Sequence, residues 1–381
     1  MRIRTMAAIA AGIGTVTVGL PALYLARRLH HEGFSPERDR KPDALDLQVT
    51  SISDQTVTLR KAGRTPVVAP DAPGTYLLEG SRGWGYAGRV VDSNDLIAIR
   101  DFRPGGGDLR AGDYVRLDGF AHRQDPLEAH GIPFEDVTFR SPLGEFSAWH
   151  VSGTANTWAI LTHGKGADRR ESLRILPALV DSGFHCLAIT YRNDLGQPRA
   201  PQGTYSYGRD EWEELEGAVE YALAHGASDI VLVGFSMGGA ITLSFMAKSG
   251  YKDRISALIL DAPMTHLAET VTHGARLAGL PTRLLAISNR LASRRYRFRW
   301  QDFDYFDTLR TIEVPVLLFH GDADATIPVD LSDSIAAMRP DIVHYVRVPE
   351  AGHVRAWNVN PEGYLETVRK FVLTRRSVSA Q

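Results

Sequence analysis

The chain has 381 residues, 44% of them hydrophobic and 23% charged, with 43 Lys and Arg against 45 Asp and Glu. These proportions exclude a disordered chain, a collagen-like repeat and a multi-span membrane protein, and a net charge of -2 gives no global pull toward nucleic acid. The single cysteine, Cys186, excludes an intrachain disulfide framework and a four-cysteine zinc site; its run HCLAITY reads as a buried strand.

Arg2 and Arg4 precede an almost uncharged stretch from Met6 to Ala26, which Arg27 and Arg28 close. About 21 apolar residues suffice to cross a ~30 Å hydrocarbon core as a helix. The expectation is an N-terminal transmembrane anchor over residues 1–32, with the lipid bilayer as its partner and the cell membrane as its location. A cleaved signal is the first alternative, but Leu23 and Leu25 stand where its cleavage site needs small residues. A buried helix is the second. Basic residues on both flanks leave the side of the body open. Residues 33–44, GFSPERDRKPDA, read as a linker.

From residue 45 to 125 the pattern is short alternating runs, such as LDLQVTSI, QTVTLR and LIAIRDF, separated by Pro/Gly clusters. This predicts a small antiparallel accessory domain. Gly105 to Gly107 lack a strand-to-helix frame and read as a loop, not a phosphate cradle. From 126 to 381 apolar runs alternate with amphipathic helical segments: EDVTFRS, EFSAWHV, TWAILTHG, HCLAITYR, DIVLVGFS, ISALILDAP, PVLLFHG and IVHYVRVP. That alternation predicts an α/β fold, a mostly parallel sheet covered by helices on both faces. Helical sequence at about 264–302 interrupts it as a cap insertion. Leu277, Leu280, Leu284, Leu285, Leu291 and Ala292 are its candidates for an apolar face over the site.

The chemistry centres on Ser236. Gly234, Ser236 and Gly238 have G-x-S-x-G spacing between a buried strand and a helix, the frame in which a serine projects from a strained turn. The N–H of Met237, at the helix start, can face a developing oxyanion, and Lys165 in THGKGADRR is the candidate second donor. A serine hydroxyl needs a base, and His353 in PEAGHVRAW follows the last apolar run. Asp322 and Asp324 in HGDADATIP, and Asp261 after ISALIL, are the acids on offer. Asp322 directly follows Gly321, where a carboxylate shapes its loop. His163 and His320 precede glycines in strand-end loops and read as structural.

HGKG, GFSMGG, HGDAD and AGH, in this order and frame, resemble the α/β-hydrolase superfamily, and YRND at 191–194 resembles its bacterial membrane-anchored esterase-like members. The likeness covers about residues 135–375, not the anchor or the β-rich segment. It implies a Ser236, Asp324, His353 triad, Asp324 matching the superfamily's H-G-x-x-D spacing. It also implies a small-molecule ester or acyl substrate, and no cofactor or metal. The leading reading is a membrane-anchored serine hydrolase cleaving a carboxylic ester through an acyl-enzyme. A serine peptidase or aminopeptidase and a thioesterase stay open, as does a catalytically silent binding protein. Glu211, Glu213, Glu214 and Glu216 read as an outer helix face, not an amine clamp.

Overall fold

The computed structural model describes residues 21–36, 44–62 and 66–379. The apolar stretch expected as an anchor lies outside the described residues as far as position 20. No helix among the described residues is long and apolar enough to cross a membrane.

Residues 21–29 are helical and run into a wider π turn, His30–Phe34. This stretch straddles the expected anchor–linker boundary, yet it is built into the body. Ala26 joins the main core, and the His30 ring stacks on Tyr296 at 3.8 Å. Phe34 is buried among Tyr207, Phe298 and Phe303, with centroids at 5.1–6.2 Å. The Tyr207 hydroxyl donates to the Gly33 carbonyl (2.6 Å) and the Tyr205 N–H to that of Phe34 (2.8 Å). The charged residues from Glu37 onward suggest a linker, but one aromatic side chain with an aromatic pocket outweighs them locally: burying it gains about 2–3 kcal/mol.

The accessory segment is a closed barrel of six antiparallel strands: β1 Leu47–Ile52, β2 Thr56–Lys61, β3 Tyr76–Gly80, β4 Gly83–Ser93, β5 Ile97–Gly107 and β6 Tyr114–Asp118. Their order is β1-β2-β5-β4-β3-β6, and β6 closes on β1. Alternate residues such as Leu47 and Val49, Val57 and Leu59, and Val115 and Leu117 fill the interior. Closure leaves no open sheet edge. Arg100 is fully buried at the barrel wall and donates to the carbonyls of Pro70 (2.9 Å), Ala72 (2.7 Å) and Gly74 (2.5 Å). Burial pushes its guanidinium down to about 10. These bonds fasten the 66–75 loop to the barrel, while its far end, Thr75, contacts the body of the chain.

That body is an eight-stranded sheet of β7 Glu135–Ser141, β8 Gly144–Val151, β9 Thr157–Thr162, β10 His185–Ile189, β11 Asp229–Phe235, β12 Ile255–Asp261, β13 Val316–Gly321 and β14 Val343–Val348. The order is β14-β13-β12-β11-β9-β10-β8-β7. β8 pairs antiparallel with both β7 and β10; the remaining pairs are parallel. Central strands such as β11, buried at every position after Asp229, are covered on both faces, which is why they read as unbroken apolar runs. After β9 a 3-10 segment, Arg169–Arg174, precedes a short helix, Leu176–Asp181, with Pro177 in its first turn. Proline lacks the N–H an interior turn needs, so the helix restarts there. Helices Leu267–Leu277 and Thr282–Tyr296 form the insertion between β12 and β13.

Barrel and body meet at Asn358. Its side-chain amide donates to the carbonyls of Thr75 (2.7 Å) and Gly119 (3.1 Å), and its own carbonyl accepts from Thr75 N–H (2.8 Å). A Cβ on Gly74 would lie 2.3 Å from that same carbonyl oxygen, so only glycine permits this approach.

Candidate active site

Ser236 stands between β11 and the helix Met237–Lys248 with φ 51° and ψ −113°, a backbone that β-substituted residues rarely adopt. Its flanking glycines make that turn possible. A Cβ at Gly238 would fall 2.0 Å from the Thr162 carbonyl oxygen, and one at Gly234 2.6 Å from that of Gly238. The turn is pinned by Ser236 N–H donating to the Asp261 carbonyl (3.0 Å) and by Met264 N–H donating to the Ser236 carbonyl (2.9 Å).

His353 arrives from the loop after β14, and Asp324 from the loop after β13. The Ser236 hydroxyl and His353 Nε2 are 2.8 Å apart, and His353 Nδ1 and Asp324 Oδ2 2.7 Å. An ionised carboxylate only accepts, so Nδ1 carries the hydrogen and Nε2 is left to accept from the serine. The other Asp324 oxygen accepts from the N–H groups of Thr326 (2.7 Å) and Ile327 (2.9 Å). Burial alone would raise this carboxyl; the neighbouring His353 and His320 rings overcome it and hold it well below the usual carboxylate range.

The other residues weighed from sequence have separate places. Asp322 accepts the Glu350 N–H (2.7 Å), tying the aspartate loop to the histidine loop. Asp261 is buried away from His353, and desolvation pushes it up to about 6 despite Arg174. His320 is fully buried, with Nδ1 2.6 Å from the Ser332 hydroxyl and Nε2 3.2 Å from Asp324. His163 bridges to Asp194 (2.9 Å). Burial would lower it, but the Asp194 carboxylate prevails and raises it to about 9.

Met237 is the first residue of its helix, so its N–H has no acceptor one turn back. Lys165 lines the same cavities as Ser236 and His353. Beside it, a Cβ on Gly164 would sit 3.0 Å from the Ser236 Cβ, so this loop passes against the serine. The loop is held from both sides, by the YRND segment noted in sequence and by a Glu171–Arg174 pair that carried no signal there. Tyr191 stacks on His163 and donates its hydroxyl to the Gly164 carbonyl (2.9 Å), while Asp194 accepts from both Tyr191 N–H and His163. YRND is thus the brace of the HGKG loop. On the other side Glu171 accepts the Gly164 N–H (2.7 Å) and pairs with Arg174 (3.2 Å), which donates to the Val354 carbonyl (2.6 Å). A buried ion pair therefore couples the HGKG loop to the histidine loop across 180 residues of chain. Arginine and glutamate three apart in DRRESLR look like any exposed helical pair; only the burial distinguishes them.

Two cavities open on Ser236 and His353. One, of about 600 Å³, is apolar and walled by Leu29, Phe34, Met237, Met264, Leu267 and Val271. The insertion contributes Leu267, Thr270, Val271 and Gly274 here, not the leucines expected at 277–291; Leu277 is solvent-exposed. The other, of about 590 Å³, lies toward the barrel, under Val67, Val68, Pro73, Tyr76 and Phe120. The helix Trp212–Ala224 departs from its expected all-exposed acidic face. Glu214 is buried against Arg192 (2.7 Å), and Glu211, just before the helix, accepts from Ser206 and Gly208.

A serine on a strand-to-helix turn, an acid and a histidine on later strand ends, and this sheet order together define the α/β-hydrolase architecture. The chain belongs to the alpha/beta hydrolase family, whose sequence profile matches residues 159–367. Rv2307c of Mycobacterium tuberculosis strain H37Rv, an uncharacterized protein, is 26% identical over 241 residues, 63% of this chain and 77% of its own. YqkD of Bacillus subtilis strain 168, also uncharacterized, is 24% identical over 233 residues, 60% and 75% of the two chains. Among solved structures, the Pyrococcus furiosus esterase Pf2001 aligns with a TM-score of 0.53 at 19% identity, covering 66% of this chain and 95% of that one. That likeness speaks to the fold.

Proposed function

We propose that this chain is a serine hydrolase that cleaves a carboxylic ester through an acyl-enzyme on Ser236. The observation that carries the reading is the unbroken hydrogen-bonded chain from Ser236 through His353 to Asp324. Ser236 Oγ attacks the acyl carbon as its proton passes to His353 Nε2, and Asp324 stabilises the imidazolium. The N–H groups of Met237 and Lys165 receive the oxyanion. Collapse expels the alkoxide, which takes the proton from His353; water then repeats the sequence and frees the acid.

An ester is favoured over an aminoacyl substrate because Glu211 and Glu214 of that acidic stretch are already bonded inside the fold. The expected membrane attachment is kept only for the stretch before residue 21, because Ala22 and Ala26 are buried in the body; alkaline extraction of the membrane fraction checks it. A fluorophosphonate probe should label the protein once, and Ser236→Ala should abolish labelling. Matched p-nitrophenyl esters, acyl thioesters and aminoacyl anilides separate the three substrate classes. Cleavage of anilides with esters untouched would overturn the ester assignment.

A further inference from the structure

The barrel-side cavity is lined by an arginine that forms no ion pair among the described residues. Arg355 lies two residues beyond His353 and lines the same cavity as Ser236, as well as the adjoining cleft of about 470 Å³ between barrel and body. The other arginines lining that cleft are paired: Arg116 with Glu79 (2.8 Å), Arg169 with Asp136 (3.1 Å) and Arg170 with Asp168 (3.1 Å). Among the described residues no carboxylate comes within 4.0 Å of Arg355, and its hydrogen bond is to the Val354 carbonyl (3.1 Å). Burial first, and then the charge of Arg174, hold its guanidinium below the usual range. Glu171 and Asp118 offset part of that cost from a distance, but a guanidinium without a hydrogen-bonded carboxylate, against a wall of Val67, Val68, Tyr76 and Phe120, still gains from a directly bound anion.

The guanidinium is also held in place. It lies flat against Gly119, where an added Cβ would come within 2.1 Å of Arg355 Cζ. The barrel thus supplies a bare backbone patch for the fork to rest on.

We propose that Arg355 is the anion-recognition residue of this active site, and that the substrate carries a carboxylate on the arm placed in the barrel-side cavity. The inference rests on the ester-hydrolase reading above and adds the substrate's charge to it. A planar fork matches a planar carboxylate bidentately. A monoanion balances one guanidinium, whereas a dianionic phosphate would also meet Glu171 and Glu350 on the same wall. The second arm is apolar and fills the cavity of Leu29, Phe34 and Met264.

The test uses the full chain and two isosteric pairs. p-Nitrophenyl hydrogen glutarate against p-nitrophenyl glutaramate places the charge on the acyl arm. p-Butyryloxybenzoate against p-butyryloxybenzamide places it on the leaving group. One pair should show a kcat/KM preference for the anionic member of about tenfold or more, the usual yield of a charged hydrogen bond. Arg355→Gln should remove that preference and Arg355→Lys keep part of it. Gly119→Ala displaces the fork without deleting the charge, and should reduce the preference too. If neither variant folds, the wild-type ratio and its decline with added salt decide. Equal turnover of both members in both pairs, or a preference that survives Arg355→Gln and Gly119→Ala, overturns the proposal. Failure of all four esters together with absent fluorophosphonate labelling instead removes the hydrolase reading, and this inference with it.

Discussion

Replacing Asp324 by asparagine tests the hydrogen-bond logic of the site more sharply than deleting the serine. One Asp324 oxygen accepts from the N–H groups of Thr326 and Ile327; the other faces the rings of His353 and His320. An asparagine has two orientations there. With its NH₂ toward the backbone, two donors at 2.7 and 2.9 Å lose their acceptor and face another donor. With its oxygen toward the backbone both bonds survive, and His320 keeps the Ile327 carbonyl (3.2 Å). The second orientation wins, and it points an N–H at His353 Nδ1. The imidazole must then carry its hydrogen on Nε2, facing the Ser236 hydroxyl, where it no longer accepts a proton. The expected loss in kcat is about 10⁴-fold, or about 5.4 kcal/mol of barrier. The fold should lose only about 1–2 kcal/mol, for one strained contact and one lost charged acceptor. Steady-state p-nitrophenyl ester hydrolysis reads the first quantity and urea unfolding the second. Asp322→Asn is the control, since Asp322 accepts the Glu350 N–H and pairs at 4.0 Å with Arg347, with no hydrogen bond to His353. A kcat for Asp324→Asn within tenfold of wild type would refute the assignment of the acid.

Three further outcomes are expected. Asp261 is held up at about 6 by burial, so the folded state binds its proton more tightly than the unfolded one, and stability falls as pH rises from about 4 to 6. Asp261→Asn should flatten that decline by about 3 kcal/mol in unfolding titrations; an unchanged pH profile would refute it. His163 is raised to about 9, so its pairing with Asp194 contributes fully below about pH 6.5 and is lost as pH climbs through 9. His163→Gln should therefore cost more stability at pH 6 than at pH 10, and equal cost at both would count against the pair. Deleting residues 1–20 should keep the active-site cavities and activity, whereas deleting 1–35 removes Leu29 and Phe34 from the apolar wall. The longer truncation should lose at least tenfold in kcat/KM on esters of six or more acyl carbons, about 1.4 kcal/mol of apolar contact; undiminished activity would show that the strap is not part of the site.

Much of the site was legible in the chain because its signals are local. G-F-S-M-G-G specifies a turn through the steric needs of Gly234, Ser236 and Gly238 within five residues, and H-G-D-A-D and A-G-H each follow an apolar run. Strand identity was legible for the same reason, since burial on both faces writes a continuous apolar word. The closed barrel was visible only as alternating strands, because closure depends on the β1–β6 pairing between segments more than fifty residues apart. Phe34 looked like part of a polar linker, for the aromatic pocket that claims it comes from positions 207, 298 and 303. Glu171, Arg174 and Arg355 carried no signal in the sequence. Their roles arise from burial and from which charges end up facing one another, and tertiary packing alone decides both. The sequence by itself determined the chemistry that Ser236, His353 and Asp324 have on offer. The fold decided which loops hold that chemistry in register, and which walls surround it.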